Sequence, residues 1–418
     1  MKLLERQRRA TVTLRPWPDP YRAALAICND IDWTTWTDFL QIHRFLNTRR
    51  STPLGDGLGL PIGDSYWMYT VRPEHDPGFA YFEDLEGNPS AVAPRMREMM
   101  HAGLLDVLHT YGNFSQRGGF RRHHAEWAAA ELQRWGVAPQ VWVMHGDCHN
   151  FQNIHGQPGH VHCKGGRKYC HAADGFGVRS LEYHLDITYR LGVRFLWVSD
   201  LTQDIGQDRK LTASEHLFDR NELKEPVWLR RDLFRYGRAW FSPSGLNGRR
   251  GLAHNSLLGI YDLEPGPYYR FTRFGRFGTD CMQHLPILLC ERHLDTLTEL
   301  GGVMIVFVHL GKRVDPAGPV FDESARSVLT DLARRYHSGE LYIQTTSRLL
   351  RYIAVRDHID YSLNERDGHP TLNIEQVKDP VLGTFVPTDD DLAGLCFEVR
   401  SATEPSVAIA EKPNDDVV

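Results

Sequence analysis

Ala23-Ala24-Leu25-Ala26-Ile27-Cys28-Asn29-Asp30-Ile31-Asp32 is a short apolar run that ends on two acids one residue apart. Apolar and polar residues do not alternate along it, so it suits a strand buried on both faces, as in a parallel sheet or barrel. Acids at the carboxyl end of such a strand stand where α/β folds collect their catalytic groups. A blander reading makes Asp30 and Asp32 caps for the next helix, since acids before Thr34 and Thr35 also open a helix well.

Beyond this run the strand–helix unit recurs. The periodicity predicts helices over about 35–47, 91–102, 121–135, 180–191, 285–300, 323–336 and 347–356. Strands are expected at 104–109, 141–145, 194–200, 303–309 and 341–345. Units at this spacing imply parallel strands joined by right-handed crossovers. Residues 48–90, 146–177 and 201–283 read as insertions, and the glycines of 53–63 match neither phosphate-loop spacing. From residue 359 onward short β-like runs take over. The expected architecture is therefore α/β: six parallel strands over 1–358, with a seventh left to the long insertions, then a small C-terminal β appendage over 359–418.

With 418 residues, 41% hydrophobic and 11% aromatic, the chain can bury a large core and is far from a disordered composition. A net charge of −5 with scattered arginines argues against nucleic acid as the main partner. No segment approaches the roughly 18 apolar residues that cross a bilayer, and residues 1–10 lack the apolar centre of a signal peptide. Seven dispersed cysteines read as reduced thiols, which points to the cytoplasm.

Three expected strands end in histidine, at His109, His145 and His309. One such histidine is usually structural. Three of them with Asp30 and Asp32 would put five ionisable groups on one rim if the sheet closes. That set suits a carboxylate–imidazole metal site with an open position for water and a separate base.

At these residues the chain resembles the polysaccharide deacetylase, or NodB-homology, family. Asp30-Ile31-Asp32-Trp33 is similar to the family's first motif, which implies Asp30 as general base and Asp32 as metal ligand. His109-Thr110-Tyr111-Gly112-Asn113 resembles the second motif, His-[Ser/Thr]-x-x-His, with Asn113 where the final histidine belongs. Asparagine is a poor zinc ligand beside imidazole, so the third ligand is open among His145, His149 and Asn113, and His145 is favoured because it ends a strand. Val308-His309-Leu310 resembles the last motif and implies His309 as the acid that protonates the leaving amine. The family's Arg-x-Pro-Tyr motif has no counterpart near residue 145.

The resemblance implies a distorted barrel of seven strands that holds a divalent metal, most simply zinc, and removes an acyl group, commonly acetyl, from the amine of an N-acylated sugar. Trp67, His149, Asn150 and Asn153 are the candidate substrate contacts, although aromatics such as Tyr66–Tyr69 and Tyr268–Phe271 more often fill a core. The expected partner is a carbohydrate or amino sugar, with no nucleic acid and no membrane span; homo-oligomerisation is left open. Two rivals stand beside this reading: a silent barrel used as a carbohydrate-binding or assembly module, and a glycoside hydrolase pairing Asp30 with Asp200. A further His/Cys cluster, His160, His162, Cys163, Cys170 and His171, lacks a compact zinc spacing and reads as a surface loop.

Overall fold

In the computed structural model the described residues are 10–70, 78–114, 119–145, 150–154, 178, 180–208, 255–366, 369–400 and 405–409. The opening run forms the strand Ala23–Asn29, buried at every position. Its alternation is hidden in the sequence because both faces are apolar. Ala23, Leu25 and Ile27 pack with Ile42, Phe45 and Leu46 of the helix Trp36–Asn47 and with Leu294, Leu297 and Leu329. The smaller Ala24, Ala26 and Cys28 face the opposite way, leaving room for Phe195, Trp197, Phe271 and Phe307 and for Leu349, Leu350 and Ile353 of the helix Thr346–His358.

This strand sits within a sheet of eleven strands. In spatial order they are Leu201–Thr202, Arg273–Phe274, Val303–Val308, Ala23–Asn29, Asp64–Tyr66, Leu105–His109, Val141–Val143, Phe195–Trp197, Gly266–Phe271 and Leu258–Leu263. Leu341–Ile343 pairs with the first half of Ala23–Asn29. Every pairing is parallel except the hairpin of 258–263 with 266–271.

Chain continuity then curls the sheet. Phe271 lies toward one end of that order and Arg273 toward the other, yet two peptide links join them, a span of at most about 7 Å. Trp197 and Leu201 repeat the crossing with a slightly longer link. Past the crossing the two segments pair with each other, the Arg273 amide donating to the Asp200 carbonyl (3.1 Å) and the Gly275 amide donating to the Thr202 carbonyl (3.0 Å). The result is a mixed α/β protein with a large, curled, mostly parallel sheet.

Several boundaries differ from expectation. The segment 285–300 is two helices, Leu285–Leu288 and Glu291–Leu300, because Cys290 is extended and starts the second one. The helix expected over 180–191 is reduced to Leu185–Leu191. Residues 48–90 and 201–283 are not mere insertions, since they supply Asp64–Tyr66, the 258–271 hairpin and Arg273–Phe274 to the sheet. Leu258–Leu263 is an edge strand with half of its positions exposed and one buried, so it carries no continuous apolar run. The expected appendage is a four-stranded sheet, Ile359–Arg366, His369–Asp379, Gly383–Phe385 and Ser406–Ile409. Its Leu372, Ile374 and Val377 pack on Val355 and Ile359. Thr11–Leu14 pairs antiparallel with Phe397–Arg400, which ties the amino-terminal strand to the carboxyl-terminal region. Among the described residues no helix is long and apolar enough to cross a membrane.

Candidate metal centre

Parallel strands all point their carboxyl ends to one rim, so residues far apart in sequence meet there. The Ala23–Asn29 strand delivers Asp30 and Asp32. The Asp30 amide donates to the Val308 carbonyl (2.9 Å) and the Ile31 amide to Ser65 Oγ (2.8 Å), which fixes the acids between two neighbouring strands. His109 ends Leu105–His109, His145 lies just past Val141–Val143, and His309 follows Val303–Val308. Trp33 (φ +63°) and Thr110 (φ +51°), the residues after Asp32 and His109, are left-handed. For non-glycine residues that conformation costs about 1–3 kcal/mol, and it turns the chain sharply away behind each side chain.

The four sequence-nominated groups around Asp32 meet. His145 Nε2 is 2.7 Å from Asp32 Oδ1, His109 Nδ1 is 3.3 Å from Asp32 Oδ2, and His309 Nε2 is 3.6 Å from Asp32 Oδ2. His309 Nε2 also lies 3.9 Å from Asp30 Oδ2. Asp30 is held by Arg273, whose Nη1 and Nη2 donate to its two oxygens at 2.7 and 3.0 Å. Arg273 is fully buried, with its guanidinium carbon 3.5 Å from the Trp197 ring centre and 4.4 Å from that of Phe307. On the far side of His309, Asp280 Oδ2 is 2.9 Å from Nδ1 and also 2.9 Å from Lys312 Nζ.

Burial works to raise the Asp32 carboxyl, but the charge and hydrogen bond of His145 and the charge of His309 hold it far below the usual range. Burial pushes His109 down to about 4 against the pull of Asp30 and Asp32, so it is a neutral imidazole at neutral pH, the form that binds metals. Burial would also lower His309, yet the Asp280 hydrogen bond and the Asp32 and Asp30 charges raise it. Burial raises Asp280, and His309 and Lys312 together bring it well below an ordinary aspartate.

These residues suit a metal ion. Asp30, Asp32 and His109 each offer a donor atom within 4.8 Å of the others, all three are buried, and Asp32 Oδ2 has no hydrogen-bond partner. Oxygen and imidazole donors match a hard-to-borderline divalent cation. A second grouping, Asp280 with Cys281 and His284, is already engaged: Asp280 holds His309 and Lys312, and His284 Nδ1 accepts from the Cys281 amide (3.1 Å).

The remaining nominated residues are placed as follows. Trp67 is fully buried, with its ring centre 5.9 Å from that of His109 and 5.8 Å from that of His145. Asn153 Nδ2 donates to the His145 carbonyl and Gln152 Nε2 donates to Asn150 Oδ1, both at 2.7 Å, so this segment backs the His145 turn. Asn113 is buried in the short strand Gly112–Asn113 beside Tyr69–Thr70. Asp200 pairs with Arg270 at 3.0 Å. His149 and the 160–171 His/Cys cluster lie outside the described residues.

Arg273, Asp280 and Ser65 were not legible as site residues. Arg273 stands in an aromatic and arginine-rich stretch, and Asp280 in a glycine-rich turn, so neither ends an apolar run. The only sequence signal for Asp280 is its place in Asp280-Cys281-x-x-His284. No family model, curated protein or solved structure matches the chain.

Proposed function

We propose that the protein is a metal-dependent amidohydrolase that removes an acyl group, commonly acetyl, from the amine of a sugar or related carbohydrate. The observation that carries this reading is the division of labour around two neighbouring acids. Asp32 is flanked by two imidazoles, whereas Asp30 is clamped by Arg273 and faced by a histidine backed by its own aspartate.

In this reading Asp32, His109 and His145 hold a divalent metal, most simply zinc, which when bound supplies Lewis acidity toward a carbonyl oxygen and water. Asp30 accepts the proton of the attacking water, and Arg273 fixes the orientation of its carboxylate. Hydroxide adds to the acyl carbon, the carbon–nitrogen bond breaks, and His309 delivers its proton to the departing nitrogen. The Asp280 bond at Nδ1 leaves Nε2 as the face of His309 nearest Asp30 and Asp32 and favours the protonated ring that an acid needs. Trp67, Asn150 and Asn153 shape the wall behind the histidines.

The test is metal analysis of the purified protein, followed by acetate assay on a panel of N-acetylated sugars. The expected result is about one divalent ion per chain, lost in Asp32→Ala and His109→Ala, with acetate released by the loaded wild type. A protein that takes up no zinc even when it is supplied would overturn the proposal. Reducing ends appearing without acetate would favour a glycoside hydrolase.

A further inference from the structure

The strand Asp64–Tyr66 carries, one residue before Ser65, a buried acid that the chemistry above leaves unused. Asp64 Oδ2 lies 3.3 Å from His43 Nε2, and the two side chains are shut off from solvent, at 0% and 5% exposure. His43 stands on the helix Trp36–Asn47, which begins a few residues after Asp32. The pair therefore pins that helix to the strand whose Ser65 Oγ accepts the Ile31 amide (2.8 Å), between the two acids of the centre.

Counting donors and acceptors places a proton in this contact. Asn47 Nδ2 donates to the carbonyls of Leu60 (3.0 Å) and Ile62 (2.7 Å), which settles the orientation of its amide. Asn47 Oδ1 then faces His43 Nδ1 at 2.8 Å and can only accept, so Nδ1 carries a hydrogen. A neutral ring protonated there has a bare lone pair at Nε2. Facing an ionised Asp64, that lone pair would set acceptor against acceptor in a low-dielectric interior. One further proton therefore lies between Nε2 and Oδ2. It makes either an imidazolium beside a carboxylate or a carboxylic acid donating to a neutral ring. Asp64 Oδ1 has no hydrogen-bond partner, a poor setting for a full negative charge. Burial likewise raises the Asp64 carboxyl, against the pull of His43, Asn29 and Ser65.

The neighbours leave the proton to this pair. On its own helix His43 rests on Phe39, ring centres 4.3 Å apart, while Asp38 is paired with Arg313 and Arg44 is exposed. From Ala23–Asn29 the facing group is Asn29, which does not titrate and whose Oδ1 accepts the Leu310 amide (2.5 Å). From Leu105–His109 it is Asp106, raised by burial and, more weakly, by the charge of Asp64. Asp106 Oδ2 accepts from the Ser347 amide (2.8 Å) and hydroxyl (2.7 Å), donors that Asp64 lacks. Two buried acids in range of each other do not both ionise cheaply, so the proton settles on the Asp64 side.

We propose that His43 and Asp64 form a one-proton latch beneath the metal centre, whose deprotonation at alkaline pH uncouples the helix Trp36–Asn47 from the strand Asp64–Tyr66 and loosens the loop of Asp30 and Asp32. It stands independently of the hydrolase reading. In the unfolded chain aspartate and histidine titrate at about 3.9 and 6.5, so above about pH 7 that chain holds neither proton while the folded pair holds one. Unfolding then releases a proton, and the stability from the latch, complete below about pH 6.5, is lost as pH rises.

Two measurements on the full chain test this. Nitrogen-15 NMR of the histidines near neutral pH, with His43 assigned by its loss in His43→Gln, should show Nδ1 protonated and Nε2 either bare and hydrogen-bonded or the second N–H of an imidazolium. A neutral ring protonated at Nε2 overturns the proposal. Urea unfolding from about pH 7 to 10 is then compared with Asp64→Asn, whose amide gives Nε2 a donor that does not titrate. While the pair titrates, the unfolding constant of wild type should rise up to about tenfold more per pH unit than that of the variant. Hydrogen-exchange protection of the Ile31 amide should fall over the same range in wild type only. Equal slopes, or an Ile31 amide no looser in wild type than in Asp64→Asn, overturn the proposal. If the variant fails to fold, the NMR of wild type decides.

Discussion

Arg273 and Asp30 are both buried, and the pair stands or falls together. Taking the cation away strands a carboxylate in the interior, beside a second one at Asp32, which costs about 3–5 kcal/mol. Arg273→Met is therefore expected to lower unfolding free energy by that amount, and adding Asp30→Asn to recover most of it, as read by urea unfolding. An Arg273→Met protein as stable as wild type would refute the charge-pair account. Asp30→Asn alone makes a different point: it should keep its metal while turnover falls by about 10²–10⁴, measured by metal content and acetate release on the same preparation. If it kept full activity, Asp30 would not be the base. The two acids were visible in the sequence because an apolar run stops on them. Arg273 was not, because one arginine among several says nothing until the sheet brings it 2.7 Å from its partner across 243 residues.

Among the elements, the helix Leu185–Leu191 shows how a segment without periodicity is held near the rim. His184 precedes it, fully buried, with Nε2 2.6 Å from the Gln152 carbonyl and Nδ1 2.8 Å from Thr188 Oγ1. The carbonyl accepts from Nε2–H, and Nδ1 faces Thr188 Oγ1, which donates to the His184 carbonyl (3.1 Å). Gln152 in turn accepts from the Tyr111 amide (2.7 Å) and so anchors the 150–154 segment. Burial lowers the His184 pKa from 6.5 to about 4. The unfolded chain therefore binds this proton at higher pH than the folded one. The stability at stake is intact above pH 6.5 and is lost as pH falls toward 4, up to about 3 kcal/mol. His184→Gln should flatten the fall in urea midpoint across that window relative to wild type. An unchanged slope would show that His184 is not the titrating group. Helix and strand positions near here followed from apolar spacing. The 150–154 plug did not, because its order comes from side-chain amides meeting backbone carbonyls, which leaves no periodic trace.

For the molecule as a whole, curling depends on short links at the seam. Thr272 alone separates a strand at one end of the sheet from a strand near the other. One glycine inserted after Thr272 is expected to keep helix content while moving Arg273 off Asp30. Displacement of about 1 Å in a catalytic group costs on the order of 10²-fold in rate, so acetate release should fall at least that far while far-UV circular dichroism is preserved. Full activity in the insertion variant would mean that the seam does not position the site. An α/β protein with repeated parallel units was legible from the strand–helix alternation. The seam was not, since it rests on strands of two or three residues whose pairing is decided by their neighbours in space rather than by their own composition.

The candidate site is also divided along the direction of synthesis. Asp32, His109 and His145 emerge within the first 145 residues, whereas Arg273, Asp280 and His309 follow more than a hundred residues later. A growing chain thus presents the groups suited to gripping an ion well before those that would move protons. Only when residues 273–309 arrive and the seam closes do the two sets of groups share one chamber.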